Sequence, residues 1–434
     1  MHRTISKPVS SKPTSPPASP ALTGVLAFLL LNFSIAVHAE IRQIEAGASL
    51  PDAINRAKPG DTLILQAGIY SGPIVIDRPL ELLGNHGVII DGQGIGRVVS
   101  IAATDVTVRG LTIRNSGDSL ATEDAGIFIT PEGDRALVEK NRLTGNLIGI
   151  YLKGPDNAQV RNNVIIGSKN PHVNDRGNGV QLWNTPGSVV EGNDISLGRD
   201  GIFVTTSRDN VFRNNTLHNL RFAVHYMYTN DSTVAGNHSS GNHVAYALMY
   251  SNNLEVRDNV SEGDRDRGLF LNFANESIIS GNQVSGAEKC FFIYNANSNR
   301  IDNNYFANCE IGIHFTAGSE GNGVYGNAFI ENQTQVKYVG SRYVEWSLNG
   351  RGNFWSDNPA FDLDNDGIAD QPYRPNDMVD QLVWRHPLAK LLLNSPAMQV
   401  LRWAQSEFPS LHPGGVSDSA PLMSFEQNVS LEDG

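Results

Sequence analysis

The chain of 434 residues contains only two cysteines, and charged residues make up only 18% of it. It has no run of basic residues, and its formal net charge is −12. A net acidic chain without a basic patch argues against nucleic acid as a partner. After residue 39, no apolar run approaches the roughly 20 residues that a transmembrane helix needs. We therefore expect the mature chain to have no direct membrane span.

The first residues have the pattern of a secretory signal peptide. Arg3, Lys7 and Lys12 precede an apolar stretch from Ala21 to Val37, and Val37-His38-Ala39 has small residues at the −3 and −1 positions of a cleavage site. The apolar stretch is short for a membrane anchor. We expect cleavage after residue 39, which would leave an exported chain with a formal charge of −15.

The sequence repeats an asparagine at a nearly constant interval. Asn occurs at positions 141, 163, 193, 215, 237, 259, 282, 304 and 327, in steps of 22 or 23 residues with one step of 30. A fixed period in this range is typical of a solenoid whose units stack on one another. Short alternating runs such as G-I-Y-L, bounded by turns rich in Gly, Asn and Asp, indicate strands rather than helices.

These patterns predict an all-β fold, a right-handed parallel β-helix with about 22 residues and three short strands in each coil. The repeated asparagines should stack into a ladder at one turn, so Asn237 and Asn259 should form hydrogen bonds along the solenoid axis. An amphipathic segment with Ser49 as its N-cap should form a helix that covers the first coil. Irregular coils should follow from about 62 to 115.

Residues one period apart should stack on the same face of such a solenoid. Two series are predicted to point outward: Tyr151, Gln181, Phe203, His225, Ala247, Phe270, Phe292 and His314, and Lys153, Trp183, Thr205, Met227, Met249, Asn272, Tyr294 and Thr316. We expect both to face solvent. An exposed face with this many aromatic, His and Met side chains usually marks an interface or a ligand groove.

His225, Met227 and Met249 form the candidate copper site on this face. Four histidines (218, 225, 238 and 243) lie within 26 residues, and Met227 should stack on Met249. Imidazole and thioether groups together favour copper, and thioethers select Cu(I). The sequence contains neither H-x-x-x-H nor C-x-x-C, and packing against a partner is the alternative explanation for the methionines.

A second candidate metal site is the acidic loop F-D-L-D-N-D-G-I-A-D at 361–370. Asp362, Asp364, Asp366 and Asp370 have the spacing of carboxylates that converge on one hard cation such as calcium. Tyr373 stands where an EF-hand would carry its bidentate Glu, and this excludes an EF-hand. The alternative is an acidic turn whose side chains accept hydrogen bonds from backbone amides.

The segment from Pro387 to Phe408 has helical spacing that Asn394-Ser395-Pro396 should break into two short helices. These helices either cap the last coil or dock on another protein. The residues predicted to dock are Trp384, Leu388, Leu391, Leu392, Met398, Leu401, Trp403 and Met423. The stretch D-S-A-P-L-M at 418–423 should be disordered or serve as a docking peptide.

Cys290 and Cys309 should lie out of register in neighbouring coils, so we expect buried free thiols, with a disulfide between coils as the alternative. The predicted organisation is a signal peptide (1–39), a capped β-helix (40–345), a module with the acidic loop and docking helices (346–423), and a disordered tail (424–434).

The parallel β-helix also occurs in enzymes that act on uronate polymers, as lyases or epimerases. An eight-residue insertion around 168–176 contains His172, Asp175 and Arg176 and should overhang the outer face near Trp183. His, Asp and Arg over an aromatic platform could serve proton abstraction next to the carboxylate of a uronic acid. The sequence lacks a convergent trio of aspartates, so we keep this enzyme function only as the alternative.

The C-terminal segment contains a series of specific motifs: N-F-W-S-D (353–357), the acidic loop, P-Y-R-P (372–375), L-V-W-R-H-P-L-A-K-L-L-L-N-S-P (382–396) and D-S-A-P-L-M (418–423). With these motifs the chain resembles the NosD family over its whole length, from the signal peptide and the capped β-helix to the acidic loop and the helical tail. The resemblance implies a periplasmic protein, not an enzyme, that is needed to assemble copper in nitrous oxide reductase during denitrification. It also implies attachment to an ABC-type transporter, made of a permease and an ATPase, and receipt of copper from a lipoprotein chaperone.

Overall fold

Three parallel sheets run the length of the molecule in a computed structural model, which describes residues 39–168, 170, 172–340, 342–393, 395–408 and 414–425. The predicted signal peptide, apart from Ala39, and the tail from 426 to 434 lie outside these residues. Each coil contributes one strand to each sheet, and coils follow one another at about 22 residues. The prediction of a right-handed parallel β-helix is confirmed.

The first sheet has 13 strands and the third sheet has 13, all short. The first sheet contains Ile41–Ile44, Thr62–Leu65, Glu81–Leu83, Thr107–Arg109, Leu137–Glu139, Gln159–Arg161, Val189–Glu191, Val211–Arg213, Thr233–Ala235, Glu255–Arg257, Ile278–Ser280, Arg300–Asp302 and Gly323–Tyr325. The third contains Gly68–Ser71, Val88–Asp91, Thr112–Arg114, Arg142–Thr144, Val164–Ile166, Asp194–Ser196, Thr216–His218, His238–Ser240, Val260–Glu262, Gln283–Ser285, Tyr305–Ala307, Ala328–Ile330 and Phe354–Trp355.

The second sheet has 12 strands, several of them twice as long as those of the other sheets, and it therefore offers the broadest surface. Its strands are Ile74–Ile76, Val99–Ile101, Ala125–Ile129, Ile148–Lys153, Val180–Trp183, Asp200–Arg208, Phe222–Asn230, Val244–Met249, Arg267–Asn272, Lys289–Tyr294, Ile311–Thr316 and Thr334–Val339.

The asparagine ladder runs along the turn between the first and third sheets. The Oδ1 atom of Asn259 accepts hydrogen bonds from the backbone N (3.0 Å) and Nδ2 (2.9 Å) of Asn237, and Asn282 does the same for Asn259. Each Nδ2 also donates to a backbone carbonyl, as from Asn237 to Phe212 (2.9 Å). The predicted ladder and its register are confirmed, and Asn353 adds one further position.

Both ends of the apolar interior are covered. Helix α1 (Leu50–Arg56) buries Leu50 and Ile54 against the first coils, and the Oγ atom of its predicted N-cap, Ser49, accepts from the backbone N of Asp52 (3.3 Å). At the other end, the rings of Phe329 and Trp355 stack with their centroids 4.4 Å apart, and Trp346 is fully buried beside them.

The stretch 418–423 ends the ladder, and the prediction that it is disordered or a docking peptide is wrong. Val416–Ser417 pairs with Val344–Glu345, which brings Asp418 into the interior. The carboxylate of Asp418 accepts hydrogen bonds from the backbone N of Asn353 (2.7 Å), Nε1 of Trp355 (2.8 Å) and the backbone N of Ala420 (3.1 Å). In the regular coils, the next coil provides the acceptor for such buried donors. The last coil has no following coil, so the carboxylate of Asp418 takes this role.

The expectation of free thiols is also wrong, because Cys290 and Cys309 form a disulfide with their Cα atoms 5.7 Å apart. Cys290 lies in a strand of the second sheet, whereas Cys309 lies in the corner that precedes the next strand of that sheet. The two positions do not stack, as predicted, but a corner residue of one coil still comes within bridging distance of the neighbouring coil.

The C-terminal segment has three helical elements rather than two. Helix α2 (Met378–Arg385) begins before the predicted segment and is capped reciprocally by Asp377 and Asp380. A 3-10 helix (Pro387–Leu392) follows, and α3 (Pro396–Glu407) begins after the predicted break, with Ser395 as its N-cap. No helix in the described part of the chain is long and apolar enough to cross a membrane.

Replacing Asp418 with Ala should lower the free energy of unfolding. The change leaves the buried donors of Asn353 and Trp355 without an acceptor, at about 1–3 kcal/mol for each donor. Thermal unfolding followed by circular dichroism measures the effect. Ser419→Ala, at the exposed neighbouring position, is the control, and equal melting temperatures for the two variants would contradict this role of Asp418.

Candidate functional site on the second sheet

The outer face of the second sheet carries the two predicted series of side chains, in the predicted register. Phe203 pairs with His225, His225 with Ala247, and Phe270 with Phe292. In the parallel series, Met227 pairs with Met249. The alternate residues of the same strands, such as Val224 and Leu248, fill the solenoid interior, so the sorting of side chains into inner and outer sets was correct.

The first outward series is largely covered, and the expectation that it faces solvent is wrong. Tyr151, His225 and Phe270 each keep less than a tenth of their surface exposed. Their neighbours on the same face cover them: Phe222 packs on His225 with ring centroids 4.7 Å apart, and the Arg267 guanidinium lies 4.6 Å from the ring of Phe270. The face is therefore a packed aromatic surface.

His225 lies in this surface against a buried carboxylate. Its Nδ1 atom is 3.0 Å from Oδ2 of Asp200, whose side chain is inaccessible to solvent. Asp200 also accepts two hydrogen bonds from Arg221, at 2.8 and 2.7 Å. An ionised carboxylate can only accept, so Nδ1 of His225 carries the proton that points to Asp200. In the neutral form of this imidazole the lone pair is therefore on Nε2.

The charge on Asp200 follows from its partners. Burial acts most strongly and by itself would raise the pKa of Asp200, but hydrogen bonds from His225 and Arg221, with their charges, together hold that pKa below its usual value. Asp200 is therefore ionised at neutral pH. Sequence reasoning missed this residue because Asp200 stands at the start of a strand, 25 positions before His225.

Met227 and Met249 are half-buried on adjacent strands, next to His225. Met249 packs against the cluster of Val244, Ala247 and Phe270. Two thioethers and one imidazole therefore lie at neighbouring positions of one surface. This set of donors matches the chemistry of Cu(I).

The other histidines of the sequence cluster do not join His225. His218 and His238 belong to the third sheet, where they face Asp194 (3.0 Å) and Glu262 (3.5 Å). His243 lies at the corner before the second sheet, with Nε2 3.8 Å from Asp266. These histidines are close to His225 in sequence, but the chain turns between them, so they lie on other sides of the coils.

His314 is on the same outward series as His225 but in the opposite electrostatic setting. Burial, together with the charges of Lys337, Lys289 and Arg267, lowers the pKa of His314 to about 4. The imidazole is therefore neutral at pH 7, and its surroundings repel a metal cation. Of these two imidazoles, only His225 has a carboxylate behind it.

An exposed aromatic ladder borders the methionines, and sequence analysis did not identify it. Tyr228 lies near the end of the strand Phe222–Asn230, and Tyr250 and Phe273 directly follow the next two strands. The three rings stack with centroids 5.2 Å apart and are exposed by 54%, 39% and 40%. Their φ angles are between +50° and +54°, a region that is unfavourable for bulky side chains. The three aromatic residues are 22 and 23 positions apart in the sequence, and this spacing could have identified the ladder.

The insertion lies at the corner before the strand Val180–Trp183, where its residues line two cavities. A short 3-10 helix (Val173–Asp175) forms there, and His172 is exposed beside it. Asp175 lines a cavity of about 680 Å³ against the two preceding coils. The placement of the insertion over the outer face near Trp183 stays a prediction.

The acidic loop brings three of its four predicted carboxylates together. Oxygen atoms of Asp362, Asp364 and Asp366 lie within 4.8 Å of one another. Asp370 accepts from the backbone N of Leu363 (2.9 Å), and Asp362 accepts from the backbone N of Gly367 (2.9 Å). The neighbouring charge of Asp366 raises the pKa of Asp364, so the bare loop contains a repulsion that a cation would relieve.

The C-terminal helices expose most of the predicted docking residues. Leu388, Leu391 and Leu392 are exposed by 82%, 85% and 55%, and Trp403 by 61%. Trp384 and Leu401 are half-buried, and Met423 is exposed at the end of the cap. The prediction for Met398 is corrected, because its side chain is buried within the module and cannot contact a partner.

The fold and this surface define a parallel β-helix protein with imidazole and thioether groups on the sheet that has the longest strands. Among solved structures, the A-module of a mannuronan C-5 epimerase from Azotobacter vinelandii is similar, with a TM-score of 0.52 and 17% identity, covering 67% of this chain and 90% of that one. An exopolygalacturonase from Thermotoga maritima has a TM-score of 0.50 and 12% identity, covering 70% and 93%. At these identities the likeness concerns the fold alone.

Sequence comparison is more specific. A family model described as "Periplasmic copper-binding protein (NosD)" matches residues 166–360. A "Probable ABC transporter binding protein NosD" of Stutzerimonas stutzeri is 41% identical over 91% of this chain and 93% of that protein. A protein of the same name from Pseudomonas aeruginosa PAO1 is 43% identical over 86% and 92%. The chain belongs to the NosD family.

Proposed function

We propose that this protein is a periplasmic accessory protein that accepts copper on the outer face of its second sheet and passes it on for assembly of nitrous oxide reductase. The observation that carries the proposal is the hydrogen bond between His225 and the buried carboxylate of Asp200. A metal-binding histidine commonly donates its second N–H to a carboxylate, which fixes the tautomer and makes the free nitrogen a better donor. Copper is the cargo of this site.

Met227 and Met249 complete the proposed donor set. Thioethers bind Cu(I) more weakly than thiolates do, which suits a protein that must release its metal. Among the described residues both cysteines are bonded to each other, so thiolates do not compete for the metal.

The aromatic ladder of Tyr228, Tyr250 and Phe273 is the proposed contact surface for the copper donor, a lipoprotein chaperone. Each of Met227 and Met249 is followed directly by a tyrosine of this ladder. Exposed aromatic side chains supply the anchors on which protein interfaces rely. The rings stack on one another and cover their own faces, an arrangement that favours protein contact over stacking against sugar rings.

The C-terminal helices are the proposed attachment to the permease of an ABC-type transporter and, through it, to the ATPase. Leu388 and Leu391 are more exposed than any other large apolar residue in the described part of the chain. They lie on one short 3-10 helix, and exposed apolar surface of this kind marks interaction sites. The names of the relatives, which are ABC transporter binding proteins, support this assignment.

Cu(I) binding should depend on His225 and on both methionines. We expect one Cu(I) per mature chain, at least tenfold weaker binding in Met227→Leu/Met249→Leu, which keeps size and apolarity, and weaker binding still in His225→Gln. Competition with a chromophoric Cu(I) chelator gives the affinity. Copper loading of nitrous oxide reductase should fall in parallel.

His238→Gln is the matched control for the copper experiment, because this imidazole lies on the third sheet and should leave the affinity unchanged. Unchanged affinity and loading in His225→Gln, with a folded chain, would place the copper site elsewhere.

Leu388→Ser/Leu391→Ser should reduce co-purification with the permease by tenfold or more, because the few residues that anchor an interface carry most of its binding energy, at about 2 kcal/mol or more each. Point changes are needed because truncation after Trp384 would also remove Asp418. Ile69→Ser/Ile95→Ser replaces two exposed isoleucines on the coils and is the control. Equal co-purification of the two variants would show that the helices serve only as a cap.

We also propose that the acidic loop holds a structural calcium ion. Added Ca²⁺ should raise the melting temperature of the wild-type chain, because a ligand that binds only the folded state stabilises it. The shift should disappear in Asp362→Asn/Asp364→Asn and persist in Asp209→Asn, which changes an exposed aspartate on the coils. A shift of equal size in all three proteins would exclude this loop as the binding site.

A further inference from the structure

A second cavity of about 500 Å³ lies at the corner where the chain enters the second sheet. It is bounded by the insertion on one side and by the corners of four successive coils on the other. The lining residues are Val173, Arg176, Leu197, Asn219, Leu220, Arg221, Gly241, His243 and Arg265. Apart from Arg221, which holds Asp200, neither the copper proposal nor the proposed contact surfaces use residues of this cavity.

The cavity is lined with positive charge in a chain that is acidic as a whole. Three arginines, 176, 221 and 265, and His243 contribute to its wall, and none of the described lining residues is Asp or Glu. Asp266 comes near His243, at 3.8 Å, but it also pairs with Arg267 (3.2 Å) and Lys289 (3.5 Å). Asp200 in turn offsets the charge of Arg221, which it binds at 2.7 and 2.8 Å. The charges that no carboxylate of the described residues pairs with are those of Arg176 and Arg265.

The arginines still have hydrogen-bond donors to offer. Arg221 uses Nε and Nη2 on Asp200, and Arg176 uses Nε on the backbone carbonyl of Asn170 (2.6 Å). Arg265 is exposed, and no carboxylate of the described residues pairs with it. A guanidinium binds a planar or tetrahedral oxyanion through two parallel N–H groups, which makes arginine the preferred residue for this task.

Three apolar side chains, Val173, Leu197 and Leu220, form the remaining wall. They can accommodate a short carbon skeleton beside the charged group. We propose that this cavity binds a small organic anion through a carboxylate or phosphate group held by Arg176, Arg221 and Arg265. The mixture of cationic and apolar walls is the usual construction of a pocket for such a ligand.

The cavity on the other side of the insertion has the opposite charge. Asp118 and Asp175 line it, and none of its described lining residues is Lys or Arg. The insertion thus separates an acidic cavity from a cationic one, so anions are attracted to one side only. The anion site rests on these charges and does not depend on copper binding at His225.

The test is a titration of the mature chain with succinate and, separately, with inorganic phosphate at constant ionic strength. Calorimetry measures the affinity, and the NMR signals of the His243 ring, assigned with His243→Gln, report where the anion binds. We expect saturable binding of at least one probe that shifts the His243 signals. Succinate alone, phosphate alone or both would each identify the oxyanion that the arginines accept.

Arg176→Gln/Arg265→Gln should weaken this binding by about tenfold or more, because two charge-assisted contacts are lost. Arg221 is kept, since it holds Asp200. Arg213→Gln/Arg257→Gln is the control, because it removes two exposed arginines of the first sheet with the same change in net charge. It should bind the probe as the wild type does.

Three results would overturn the proposal. They are the absence of saturable binding of either probe to the wild type, equal loss of binding in both double variants, and unchanged binding in Arg176→Gln/Arg265→Gln. Circular dichroism of each variant establishes that the coil is intact, so that a loss of binding is read from a folded chain.

Discussion

The asparagine ladder is the constraint on which the rest of this structure depends. Each side chain satisfies a backbone N–H and an amide of the neighbouring coil inside a turn that water does not reach. A buried amide without these partners costs about 1–3 kcal/mol, so a slipped coil would lose the contacts of two neighbours at once. The ladder therefore holds the register of all three sheets, and the register determines which side chains face outward.

The proposed copper surface is a consequence of that register. Position 225 is outward because 224 and 226 are inward, and the partner strands place Met227 beside Met249 without any loop to position them. The same outward series carries His314 near three cations and His225 on a carboxylate. One backbone geometry therefore places two imidazoles in opposite electrostatic surroundings, and the difference lies in the charged residues of the neighbouring coils.

The corners and the ends of the solenoid contain the structural features that do not follow the repeat. The insertion builds two cavities of opposite charge, the corner at Cys309 permits a covalent link to Cys290, and the C-terminal return of the chain brings Asp418 to the last asparagine. Beyond this cap, Leu388 and Leu391 are exposed and do not belong to the core of the solenoid. The regular coils thus hold the proposed cargo site, while the irregular segments hold the other proposed contacts.

The sequence by itself determined the coil, its period and the nine predicted positions of the ladder, because these follow from a constant repeat. It also determined the inner or outer side of the strand residues, which follows from the local alternation of apolar and other residues. Only the tertiary structure decided how exposed the outward residues are, since Phe222 and Arg267 cover them from adjacent positions. It also decided the partnership of Asp200 with His225, the disulfide and the role of Asp418. These contacts join residues at different points of different coils, where no period in the sequence relates one to the other.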